Sequence, residues 1–82
     1  MNIVLSQAAA KYLERLNEPT KGRIIAALKK LEQEPPQGDI KALTGQEGFR
    51  LRIGGYRVLF NMKSDIIVVT DIGPRGQMYK GR

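Results

Sequence analysis

The apolar positions of this chain change their spacing near residue 48, from helical periods before it to strict alternation after it. At the start, Ile3, Val4 and Leu5 form a short β-rich run that predicts an opening strand over 2–5. Ser6 then reads as the N-cap of QAAAKYLERL, where Ala9, Leu13 and Leu16 fall on one helical face with Tyr12 on its flank. Pro19 suits the first turn of a second helix over residues 20–33. In it Ile24, Ala27, Leu28 and Leu31 repeat at three and four residues, and Ile25 widens the stripe. The run Glu34-Pro35-Pro36-Gln37-Gly38 stops that helix, and residues 34–46 read as a loop that tucks Ile40 and Leu43 against the core.

Alternation begins with GFRLRIGGYRVLF. Phe49, Leu51 and Ile53 alternate with Arg50 and Arg52, and Tyr56, Val58, Phe60 and Met62 continue the apolar set on a returning strand. Gly54-Gly55 between them predicts a two-residue type I′ turn, which needs positive φ at both positions. Lys63-Ser64-Asp65 is the next turn, and residues 66–72 form a third strand, apolar on both faces and therefore central. The expected fold class is α+β: two helices on one face of a small antiparallel sheet joined by the opening strand, in the order β-α-α-β-β-β. Residues 1–82 are read as one domain.

The tight turn fixes charge as well as register. It pairs Ile53 with Tyr56, Arg52 with Arg57, Leu51 with Val58 and Arg50 with Leu59, so the arginines share the face away from the helices. Directly opposed like charges are destabilising. Asp71 is placed to offset Arg57, with Glu47 at the edge, and Leu59 and Val69 are expected on the same face under partial cover. Solvated arginines are ordinary on an amphipathic strand. Three of them on one face, followed by GPRGQMYKGR, point instead to an anion. In that last stretch Pro74 and Gly76 bracket Arg75, while Tyr79 stands beside Lys80 with Arg82 beyond, an aromatic among cations suited to stacking on a base.

Composition sharpens this picture. The net charge is +6; residues 1–40 carry six Lys/Arg against five Asp/Glu, and residues 41–82 carry eight against three. An acidic partner is therefore expected at the second half. With neither Cys nor His, disulfide and soft-metal chemistry fall away, and neither a metal nor a cofactor is expected. No run resembles a leader or a bilayer span, so a cytoplasmic protein without a membrane partner is expected.

Guanidiniums match phosphate oxygens and stay charged, but with pKa values above ~12 they are poor proton carriers. The usual shuttle, histidine, is absent. These residues favour RNA binding, and they favour cleavage only where positioning of the 2′-OH supplies much of the rate.

Taken in order, "KALTG", "FRLRIGGYRVLF" and "IGPRGQMYK", with R-x-R-x-G-x-Y-R-V followed by G-P-R-G-x-x-Y-K, closely resemble the RelE/ParE superfamily of toxins from toxin-antitoxin pairs, over nearly the whole chain. The resemblance implies a toxin silenced by an acidic, RelB-like antitoxin. RelE-like members cut messenger RNA in the ribosomal decoding site, using the 2′-oxygen and no metal. On that pattern Arg57 and Arg75 fall on phosphate-handling arginines, and Tyr79 falls on an aromatic that orients the substrate. Arg50 stands where a well-studied type of member has a catalytic lysine, and Gly48 where it has another. The expected catalytic set is Arg50, Arg57, Arg75 and Tyr79, with Lys41, Arg52, Lys80 and Arg82 contacting RNA. The missing lysine base keeps two alternatives open: a ParE-like inhibitor of DNA gyrase, and a non-catalytic RNA- or ribosome-binding module.

Overall fold

Ser6 both starts the first helix and ties it to the last strand. Its Oγ accepts the Ala9 N–H at 3.1 Å, capping the helix, and its hydroxyl donates to the Thr70 carbonyl at 2.8 Å. The computed structural model describes residues 2–74 of the 82. They form β1 (Asn2–Leu5), α1 (Gln7–Arg15), α2 (Thr20–Leu31), β2 (Asp39–Ala42), β3 (Phe49–Ile53), β4 (Tyr56–Lys63) and β5 (Ile66–Pro74). None of the described helices is long and apolar enough to cross a membrane.

The strands make one sheet in the order β1-β5-β4-β3-β2. Pairing is antiparallel throughout β2 to β5, and β1 lies parallel to β5, so the sheet is mixed. Ala9, Ile24, Leu28 and Leu31 of the helices meet Leu51, Val58, Phe60, Ile67, Val69 and Ile72 of the sheet, all buried in one core. Phe49 and Phe60, opposite each other, stack with ring centroids 5.5 Å apart. Tyr12 packs on the rim of this core, and burial, with Tyr56 adding to it, raises its phenol above the ordinary 10.0. The first turn of α2 is capped by Glu18, whose Oε1 accepts the Gly22 N–H at 2.9 Å, while Pro19 takes the N-cap position.

Three expectations change. Residues 34–46 are not all loop, because Asp39–Ala42 pairs with β3 as an edge strand. Of its two helix-side residues Ile40 packs on the core and Ala42 stays exposed, too little apolar signal for alternation to reveal. The Gly54-Gly55 turn has positive φ only at Gly54 (56°), which fits the II′ requirement rather than I′, although the paired residues are those expected. Finally, a bulge between Leu59 and Phe60 shifts the β4–β5 register, so Leu59 pairs with Asp71 but Phe60 pairs with Val69. Val69 is thereby buried in the helix-side core rather than standing beside Leu59 on the opposite face.

Candidate functional site

Away from the helices, the strand registers align two rows of side chains. One row reads Asp39, Arg52, Arg57, Gly73; the next reads Lys41, Arg50, Leu59, Asp71. Two cation pairs are thus directly opposed, Arg52 with Arg57 and Lys41 with Arg50. Opposite residues in an antiparallel pair have Cβ atoms about 5 Å apart, close enough for like charges to cost stability. Arg52 has Asp39 on its other side. Arg50 has only Leu59, so no acid stands directly across from it.

Burial differs among the four cations. Lys41 and Arg52 are exposed, Arg50 is half-buried, and Arg57 is the single buried charged side chain among the described residues, 8% exposed. Arg57 reaches this position because β4 is the central strand, flanked by β3 and β5. Asp71 is its diagonal neighbour on β5, about 7–8 Å away at the backbone, a gap an arginine spans. The Nη1 of Arg50 is buried and has no hydrogen-bond partner among the described residues. A buried, unsatisfied donor on a cation costs stability unless an acceptor arrives. A phosphate would bring charge and acceptor oxygens together.

Beside the Arg50 row lies a cavity of about 210 Å³ that includes Leu59 and Asp71 of that row, with Leu43, Gln46, Glu47 and Asn61. The loop carrying Gln46 and Glu47 is closed by the Leu43 N–H donating to the Gly48 carbonyl at 3.0 Å. Gly48 has φ of 117°, and a Cβ there would lie 3.0 Å from Asn61 Oδ1 and 3.3 Å from the Phe60 carbonyl oxygen. The position suits glycine and leaves little room for the lysine that the resemblance would place there.

Residues 3–79 match the family model of the ParE toxin of the type II toxin-antitoxin system, parDE. The chain belongs to this toxin family. No curated protein matches the toxin in sequence. Among solved structures, it is similar to the RelB-RelE antitoxin-toxin complex from Methanococcus jannaschii, with 20% identity, TM-score 0.76, and 93% of this chain and 94% of that chain covered. It is also similar to the archaeal RelE-RelB complex from Pyrococcus horikoshii OT3, with 27% identity, TM-score 0.71, and coverage of 93% and 96%. The intact E. coli RelBE toxin-antitoxin complex matches with 18% identity, TM-score 0.69, and coverage of 93% and 98%.

Of the toxin's expected site residues, Lys41, Arg50, Arg52 and Arg57 come together on two adjacent rows of one face. Arg75, Tyr79, Lys80 and Arg82 lie outside the described residues. Sequence reasoning missed the cavity and the place of Gln46 and Asn61 in it. Asn61 did carry a signal, as an amide on the non-core side of a strand whose other face is apolar.

Proposed function

We propose that this toxin cleaves messenger RNA at the ribosome, with the RNA 2′-oxygen as nucleophile and the arginine face holding the reacting phosphate. The observation that carries the reading is Arg50, which is opposed by Lys41 and holds a buried Nη1 with no hydrogen-bond partner among the described residues. Such a group is costly until an anion meets it. In the reaction, Arg50 and Arg57 stabilise charge on the phosphoryl oxygens as the 2′-oxygen attacks and the 5′-oxygen leaves. Their guanidiniums stay protonated, so they contribute charge and alignment rather than proton transfer. Arg75 is assigned to the same phosphate and Tyr79 to stacking on the neighbouring base; Lys41, Arg52, Lys80 and Arg82 hold the flanking backbone. Similarity to RelE bound to RelB supports an antitoxin partner, and the positive second half favours an acidic one whose affinity falls as salt rises.

Primer extension on messages in translation extracts, with and without ribosomes, tests the reading. Ribosome-dependent cuts that vanish with Arg57→Ala and Arg75→Ala are expected, and intact messages during growth arrest would refute it. A second reading is inhibition of DNA gyrase, favoured by the match to the ParE family model and by the lack of any histidine. Blocked supercoiling with intact RNA would select it.

A further inference from the structure

Asp71 reaches the arginine face only because β5 is irregular, and that irregularity is held in place. We infer that Thr70 is a positioning residue: its hydroxyl pins the β5 bulge that turns Asp71 outward beside Arg57 and so aligns that guanidinium. The task given to the aligned guanidinium, holding a phosphate, rests on the reading above.

Alternation along β5 shows what the bulge achieves. Ile67 and Val69 are buried in the core, so an unbroken strand would send Asp71 inward as well and Ile72 outward. The register instead steps from Phe60–Val69 to Leu59–Asp71, leaving Thr70 as the extra residue. Ile72 is thereby buried in the core, and Asp71 joins Leu59 on the other face. Three hydrogen bonds hold this step. The Ser6 hydroxyl donates to the Thr70 carbonyl at 2.8 Å, and the Ser6 N–H donates to the Val69 carbonyl at 2.8 Å. Both tie the bulge to the start of α1. The Thr70 hydroxyl, donating to the Leu59 carbonyl at 3.3 Å, ties it to β4, the strand that carries Arg57.

Charge gives the placement its value. The two outward rows hold the cations Lys41, Arg50, Arg52 and Arg57 and the acids Asp39 and Asp71. Asp39 stands directly across from Arg52, at the edge of the sheet. Asp71 is the acid diagonal to Arg57, whose side chain is buried. A planar guanidinium is aimed by the carboxylate it meets, because the fork of N–H donors fixes its direction. A slip of the bulge would withdraw that carboxylate and leave Arg57 without its guide.

The test is NMR of the whole chain, following the Arg57 Nε–H signal alone and during titration with inorganic phosphate. Thr70→Val keeps the β-branched shape and loses the hydroxyl. It is expected to move the Arg57 signal and to weaken phosphate binding about fivefold, as residues sharing a network do. Thr70→Ser, which keeps the hydroxyl, should match the parent in both. Asp71→Asn should move the same signal, and adding Thr70→Val to it should change little more, because Thr70 acts through Asp71. An Arg57 signal left in place by Thr70→Val or by Asp71→Asn would overturn the inference. Losses that simply multiply in the double variant would overturn it too, since a general loosening of the sheet gives that result. A parent that binds no phosphate would refute the phosphate reading, while the Arg57 signal in the variants would still decide the role of Thr70.

Discussion

Arg50→Met should make the toxin more stable and inactive at once. The substitution keeps a long apolar stem beside Leu59 and removes both the charge facing Lys41 and the buried Nη1 without a hydrogen-bond partner among the described residues. Relief of a directly opposed like charge is worth about 0.2–1 kcal/mol. Removal of a buried, unsatisfied donor is worth about 1–3 kcal/mol, of which the half-buried position yields the lower part. A gain of about 1–2 kcal/mol follows, and a domain of this size shifts its Tm by about 4–8 °C per kcal/mol. Thermal unfolding followed by circular dichroism at low ionic strength reads that shift directly. Repeating the melt near ~1 M salt, where the Debye length is ~3 Å, should erase the Coulombic share and leave the donor's share. Added phosphate should raise the parent's Tm by mass action and move the variant far less. A variant that melts below the parent at low salt would refute the reasoning, because Arg50 would then be a structural residue and not one held at a cost for its ligand.

Other outcomes follow from the same geometry. Tyr12 has a folded pKa above the unfolded value of 10.0, so its contribution is complete below pH 10 and lost as pH rises through the folded pKa. Tyr12→Phe should therefore flatten the alkaline fall in stability relative to the parent, and parallel pH profiles by chemical denaturation would count against that. Gly48→Lys should destabilise by about 1–3 kcal/mol, from the strained φ and the Cβ crowding against Asn61 and Phe60, and should not raise activity; an unchanged melting curve would show that the loop adapts. Tyr79→Phe should keep more growth arrest than Tyr79→Ala if stacking is its task, and equal losses would point to the hydroxyl.

Local chemistry made most of the fold legible. The Ser6 cap, the 3.6-period stripe of α2 and the Gly54-Gly55 hairpin each depend on residues close in sequence, and each appears where its residues predict. The opposed Arg52 and Arg57 were readable for the same reason, since a two-residue turn leaves one register. What escaped depends on pairing at a distance. β2 pairs with the outer edge of β3, and of its own residues Asp39, Ile40, Lys41 and Ala42 only Ile40 packs on the core. The bulge beside Leu59 is invisible in alternation that looks continuous, yet it turns Val69 inward, and Thr70 at the bulge lines the cavity. The opposition of Lys41 to Arg50 could not be read at all until β2 was known.

The parallel pairing of β1 with β5 also orders events during synthesis. Asn2–Leu5 docks on Ile66–Val69, and the Ser6 hydroxyl reaches a carbonyl 64 residues onward. A nascent chain that ends before β5 therefore has no berth for its opening strand and no Val69 or Ile72 to seal the interior under α1. Assembly of this sheet waits for its last strand, so the arginine surface takes shape only once β5 has been made, and products cut short before it lack that surface.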